Sequence, residues 1–175
     1  MSDEEVWAVP VGLGEFLETP KTLNLIADAQ ICSQIAQRFN LVAVNSVTAR
    51  LTLTRWFDGG QIDARWTANL TQTCGVSLED FDIDLQGQFQ VRVVPDGSVH
   101  APDPNIVEIA IDLDADDPPD VLTGRTLNLA HYVLEDLSLS TDPFPRKPGA
   151  VFVAPEPAEE ASPFAVLRQL KPKAD

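Results

Sequence analysis

The stretch that decides the fold spans residues 47–71 and reads VTARLTLTRWFDGGQIDARWTANLT. Apolar and polar side chains alternate on both sides of its central Asp58-Gly59-Gly60 segment. Alternation of this kind places successive side chains on opposite faces of a β-strand. Because Asp-Gly and Gly-Gly pairs between two alternating runs favour a tight turn, the stretch predicts a β-hairpin.

A third alternating run occupies residues 81–93, and residues 106–113 predict a fourth strand. Period-two alternation over several strands is typical of an antiparallel sheet with one apolar and one polar face. We therefore expect an α+β fold built on an antiparallel sheet of about four or more strands. Closure of that sheet into a barrel-like form stays open at this point.

Two main helices should cover the apolar face. Ile31, Ile35 and Phe39 recur at spacings of four, which places them on one helix face. Asp28 can cap the first turn of this helix, and Asn40 suits its left-handed end. A second helix is predicted over residues 127–140 with Asn128 as its cap, and its apolar stripe consists of Ala130, Val133, Leu134 and Leu137.

The domain organisation follows from composition. Residues 1–21 contain two prolines and two glycines and predict an extended N-terminal segment, and residues 22–153 predict a single α+β domain. Residues 154–175 predict a Pro/Glu/Ala linker followed by a short basic amphipathic helix that begins at Ser162. That helix can dock on a partner or fold back on its own core, and both alternatives remain.

The net charge of −15 excludes a surface that binds nucleic acid everywhere. The charge is concentrated in residues 73–125, which hold 2 basic and 12 acidic residues. Such a stretch can attract a basic partner or serve only for solvation, and we favour the second reading. The acidic N-terminus lacks the basic region of a signal peptide, and no apolar run approaches membrane-spanning length, so we expect a cytoplasmic protein with no membrane partner.

The residue types that carry chemistry do not form a recognisable pattern. Cys32, Cys74, His100 and His131 are the cysteines and histidines, and no pair has a metal-ligand spacing. The acidic run at 112–117 lacks the glycine and terminal glutamate of a calcium loop. We therefore expect no catalytic residues, no cofactor, no metal and no small-molecule substrate.

Two basic features are candidate binding sites. Arg50, Arg65 and Arg92 share the parity of the outward side chains on three strands, so they should lie on the polar face of the sheet. They could contact RNA phosphates. The reading we favour instead pairs them with carboxylates of the same face, namely Asp63, Asp82 and Asp84.

The second basic feature is the segment from Phe144 to Pro148, in which Arg146 and Lys147 follow an aromatic residue between prolines. It could contact a partner, or it could be a proline-braced loop that packs on the sheet through Phe144. Arg168 and Lys171 in the C-terminal segment are further candidate partner or RNA contacts.

Three ordered stretches resemble the YceD family of large ribosomal RNA accumulation proteins, in its alphaproteobacterial form. The first is TANLTQTC at 67–74 with the apolar anchor at 78–81, and the second runs from Leu127 through the helix to PRKPG at 145–149. The third is SPFAVL at 162–167 followed by Leu170-Lys171. Each stretch alone is weak, but their order along residues 25–173 is fairly specific.

The resemblance implies a non-enzymatic factor for 23S ribosomal RNA accumulation and large-subunit biogenesis. Its implied partner is a pre-ribosomal particle, a ribosomal protein or the large-subunit RNA. Many members carry a C-x-x-C motif with later cysteines, which suggests a metal site, whereas Thr71 here stands at the first position before Cys74. Two alternatives remain, an acidic adaptor unrelated to ribosomes and a metal-dependent hydrolase or nuclease that uses the acidic run.

Overall fold

The computed structural model describes residues 5–102 and 117–152, and these form an α+β fold around a five-stranded mixed sheet. A separate two-stranded sheet and two helices complete it. In chain order the elements are β1 (Pro10–Gly12), β2 (Lys21–Ile26), α1 (Ala29–Phe39), β3 (Ala43–Trp56), β4 (Gly59–Thr73), β5 (Asp80–Pro95), β6 (Asp120–Leu122), β7 (Thr126–Asn128) and α2 (Leu129–Ser140).

The large sheet has the strand order β2-β3-β4-β5-β6 and is open. Its first four strands pair antiparallel, as the alternation predicted, but β6 runs parallel to β5. The barrel-like alternative is wrong, because β2 and β6 lie at opposite edges and do not pair. Alternation shows only that one face is apolar. Here that face is covered by α1 and α2 instead of by a curled sheet.

The predicted hairpin is confirmed, but its glycines do not make the turn. β3 and β4 pair from Ala43–Thr71 to Trp56–Gly59, so the connection consists of Phe57 and Asp58. Phe57 itself takes the positive φ of 50°. Gly59 and Gly60 lie inside β4, where a β-carbon would stand 2.0 Å from the carbonyl oxygen of Val93 and 2.3 Å from the Phe16 ring, respectively.

Both helices have the predicted caps. The Asp28 carboxylate accepts a hydrogen bond from the Ile31 backbone N–H at 2.8 Å, and α1 ends at Asn40 with φ 53° and ψ 42°. The Asn128 side chain accepts from the Ala130 backbone N–H at 3.2 Å. Leu127, predicted as the first residue of the second helix, belongs to β7, because it pairs with Val11 of β1.

The core lies between the helices and one face of the sheet. Leu51, Leu53, Ile62 and Leu70 point inward and are fully buried there. The N-terminal segment contributes to this core as well, through Trp7, Val11, Leu13 and Phe16. A hydrogen bond links the sheet to α2: the Trp66 indole Nε1 of β4 donates to the Asp136 carboxylate at 2.6 Å.

Two predicted elements, the strand at 106–113 and the C-terminal helix, lie outside the described residues. Within the described part, neither helix has the length and apolar character needed to cross a lipid bilayer.

Candidate functional site: the uncovered face of the sheet and the proline loop

The outward side chains of β2–β5 form a surface that neither helix covers, here called the open face. At its centre four side chains stand in register across four strands. They are Asn24, Arg50, Arg65 and Gln88, here called the arginine row. All four carry hydrogen-bond donors, and all four are exposed.

Arg50 and Arg65 are direct cross-strand partners. Like charges in this position repel one another. Across the described residues neither arginine has a hydrogen bond or an ion pair. The pairing with carboxylates that we favoured from the sequence is therefore wrong for both of them.

The carboxylates of the open face are engaged by neutral donors instead. Asp63 accepts hydrogen bonds from the amides of Gln61 at 2.9 Å and Gln90 at 2.7 Å. Asp84 accepts from Asn69 at 2.7 Å, and Asp82 accepts from Thr71 at 2.6 Å. Asn69 stands four residues from Arg65 along β4, about 13 Å at the rise of a strand. Parity predicted the face correctly, but Asp82 and Asp84 lie away from the two arginines, and the nearby Asp63 accepts hydrogen bonds from Gln61 and Gln90 instead.

The arginine row lies between two shallow depressions of the open face. One of about 620 Å³ is lined by the row together with Thr48, Thr67 and the exposed apolar side chain of Ile26. The other, of about 590 Å³, is lined by Thr52, Asp63 and Gln90 as well as members of the row. Arg50, Arg65 and Gln88 line both. A ligand in either depression would therefore meet the same two guanidinium groups.

An aromatic cluster lies at the hairpin end of the open face. Trp56 continues the outward parity of β3, and its ring lies 5.3 Å from the Arg92 guanidinium. Phe57 and His100 stack with ring centroids 4.0 Å apart, and Trp56 meets Phe57 edge-on at 4.7 Å. We call Trp56, Phe57 and His100 the aromatic corner. Arg92 is half-buried beside this corner and does not belong to the arginine row.

Sequence reasoning missed the aromatic corner. Outward parity from Thr52 through Thr54 could have placed Trp56 on the open face. The position of His100 depends on the loop after β5, where period-two alternation has ended, so the sequence offers no comparable signal for it.

The second basic feature, residues 142–149, is here called the proline loop. The Gly75 N–H donates to the Pro145 carbonyl at 2.9 Å, and the Lys147 ammonium pairs with Glu79 at 2.9 Å. Phe144 is nevertheless 80% exposed, so the alternative in which the loop packs on the sheet through this residue is wrong. Arg146 is exposed too. The loop is held on one side and presents an aromatic ring and a cation on the other.

Cys74 anchors this loop. Its sulfur accepts backbone N–H hydrogen bonds from Ser77 at 3.3 Å, Lys147 at 3.3 Å and Val76 at 3.4 Å. A hydrogen bond from the Ser77 side chain, together with these N–H groups, lowers the pKa of the Cys74 thiol to about 6. Burial raises the pKa of the other thiol, Cys32. Cys74 is therefore largely a thiolate at neutral pH, with the proline loop attached to it.

The donors around Cys74 do not fit the metal site that the family resemblance implies. The Thr71 hydroxyl, at the position of the first family cysteine, donates to Asp82. Over residues 5–102 and 117–152, no three His, Cys, Asp or Glu residues come together as a metal site. Five residues of the acidic run and the C-terminal segment lie outside the described part, namely Asp112, Asp114, Asp116, Arg168 and Lys171.

Comparison with known proteins identified no relative of this chain. No protein-family model, curated protein or solved structure matches the chain significantly. The surfaces described above therefore supply the structural basis for a functional proposal.

Proposed function

We propose that this chain is a non-enzymatic, YceD-type factor of the bacterial cytoplasm that supports 23S ribosomal RNA accumulation and large-subunit biogenesis. It acts by binding a pre-ribosomal particle, through a ribosomal protein or the large-subunit RNA. The ordered resemblance over residues 25–173 supports the pathway. The structural observation that supports a binding role is the proline loop, in which Phe144 is 80% exposed on an anchored backbone.

An anchored loop with an exposed aromatic ring is suited to recognition. The bonds from Gly75 and Lys147 restrict the loop before any partner arrives, which reduces the conformational entropy lost on binding. Aromatic and arginine side chains are also enriched among the residues that dominate binding energy at interfaces. Phe144 and Arg146 supply both, two positions apart.

Lys147 has a different role from Arg146. Its ammonium is engaged by Glu79 and its backbone N–H by Cys74. Among the described residues Arg146 has no such contact. The cation offered to a partner is therefore Arg146, and Lys147 holds the loop in place.

The proposal is tested first by depletion. In cells depleted of the protein, we expect a selective fall in the ratio of 23S to 16S ribosomal RNA, with 23S precursors accumulating. An unchanged ratio with normal RNA ends would contradict the ribosomal role and favour an acidic adaptor of another pathway.

The binding surface is tested by charge reversal. Arg146→Glu combined with Phe144→Ala should reduce cosedimentation with pre-ribosomal particles while leaving the melting temperature unchanged. Arg125→Glu is the matched control, since Arg125 is exposed in the turn before β7 and far along the chain from the loop. Equal cosedimentation of both variants would show that the proline loop is structural only.

A further inference from the structure

We propose that the open face binds single-stranded RNA, with a phosphate at Arg50 and Arg65 and a base at the aromatic corner. This inference deepens the proposed function and rests on it for the identity of the RNA as ribosomal. The binding chemistry itself rests on the geometry of the open face.

The arginine pair is the first reason. Two guanidinium groups that face each other across neighbouring strands destabilise the sheet unless an anion lies between them. Asp63 is only two residues from Arg65, yet its oxygens are occupied by Gln61 and Gln90. Within residues 5–102 and 117–152 no acceptor engages either cation, and phosphate oxygens match a pair of guanidinium forks.

The neutral side chains around the pair are the second reason. Asn24 and Gln88 extend the row on either side, and the hydroxyls of Thr48 and Thr67 lie next to it, 3.0 Å apart. Amide and hydroxyl donors commonly contact phosphate and sugar oxygens in nucleic-acid complexes. They allow a sugar–phosphate backbone to cross the face without burying an unpaired polar group.

The aromatic corner is the third reason. Trp56 lies six residues from Arg50 on the same face of β3, about 20 Å along the strand. An extended strand of a few nucleotides covers that span. Unpaired bases stack on aromatic rings, and Arg92 beside Trp56 adds a cation at the same place.

The same face argues against a protein ligand and against long RNA. Between the arginine row and the aromatic corner the outward side chains are polar, whereas the centre of a protein interface is usually apolar. They are Thr52, Thr54, Gln61, Gln90 and one carboxylate, Asp63, whose oxygens accept hydrogen bonds from Gln61 and Gln90. Beyond the row in the other direction lie Asp80, Asp82 and Asp84 on β5. These carboxylates repel phosphates, so the bound strand should be short and should run from the row toward the corner.

The test is fluorescence anisotropy of the full-length protein with a labelled single-stranded RNA of about eight nucleotides. The double variant Arg50→Gln/Arg65→Gln should bind about tenfold or more weakly. Its plot of log affinity against log salt, over about 50 to 200 mM, should be less steep by about 0.7, because the contact with one phosphate is lost. Trp56→Leu should weaken binding about fivefold or more with an unchanged salt slope.

Two controls separate the site from general effects. Arg125→Gln makes the same chemical change away from the open face, and it should leave affinity unchanged. The double variant should melt at the same temperature as the wild type or higher, since it removes a like-charge repulsion. A loss of binding in the folded double variant therefore reports on the ligand contact.

The inference would be overturned if the wild-type protein does not bind the RNA, or if the double variant binds as tightly as the wild type. It would also be overturned if polyglutamate competes for the site as effectively as unlabelled RNA does. The face would then bind acidic proteins. A fall in 23S RNA on depletion without RNA binding would contradict this inference alone. RNA binding with unchanged 23S RNA would contradict the proposed function alone.

Discussion

The two faces of the large sheet differ in kind although they alternate residue by residue along the same strands. On β3, Leu51 and Leu53 are fully buried under the helices. Arg50, the residue directly before Leu51, is exposed on the open face. The covered face gains stability from the removal of apolar surface from water. The open face carries a like-charge pair, Arg50 and Arg65, that reduces stability. The difference separates a side of the strand that serves folding from a side that, in our proposal, serves recognition.

Substitutions at two adjacent positions of β3, one on each face, should differ most in their effect on the free energy of unfolding. Leu51→Ala should lower the free energy of unfolding by about 2–5 kcal/mol, because it leaves a cavity in a closely packed core. Thr52→Ala, one residue along on the open face, should change it by no more than about 0.5 kcal/mol. Urea denaturation measures both. Similar losses at the two positions would show that the open face is as important for folding as the covered face.

A second pair of variants tests how closely the elements approach at the hairpin end. Gly59→Ala should destabilise the protein by about 1–3 kcal/mol, because its β-carbon would lie 2.0 Å from the Val93 carbonyl oxygen and the backbone must move. Gly14→Ala is the matched control, since nothing lies within 4 Å of its β-carbon. Thermal unfolding of Gly59→Ala that matches Gly14→Ala would contradict the close approach of β4 and β5 there.

A pH dependence is expected at Cys74. Its pKa of about 6 in the folded protein lies below the ordinary thiol value of about 8.5, so the thiolate stabilises the fold fully above the ordinary value. This stabilisation declines as the pH falls and is lost below about pH 6. The difference in melting temperature between wild type and Cys74→Ala should therefore be larger at high pH than at low pH.

Cys32→Ala provides the control for this pH dependence. Burial raises the pKa of the Cys32 thiol, so it stays protonated in the folded protein below the ordinary thiol range. Its melting-temperature difference from the wild type should stay constant between about pH 5.5 and 8. The same pH trend in both variants would show that the anchored thiolate is not the cause.

Local patterns in the sequence predicted the local parts of the fold. The cap at Asp28, the left-handed end at Asn40 and the antiparallel hairpin depend on neighbouring residues, and all three were predicted correctly. The parallel β6 and the open sheet were not predicted, because they depend on which distant segments meet. Gly59 and Gly60 resembled turn residues, but the contacts that require glycine there come from Val93 and Phe16.

For the candidate site, alternation in the sequence predicted only which face of the sheet each side chain occupies. Parity placed Arg50 and Arg65 on one face, but the pairing of charges depends on register, which sets Arg50 opposite Arg65. The role of Cys74 was not predictable either. Its lowered pKa comes first from hydrogen bonds of the nearby Ser77, but its role as an anchor requires the proline loop, some seventy residues later, to bring the Lys147 N–H to the sulfur.

The central claim is that the open face exists for binding and not for folding. It is tested most directly by complementing a depleted strain with the Arg50→Gln/Arg65→Gln variant and measuring the ratio of 23S to 16S ribosomal RNA at matched protein levels. We predict that the variant accumulates normally as a folded protein and that the ratio stays low. Full restoration of the ratio by this variant would contradict the claim.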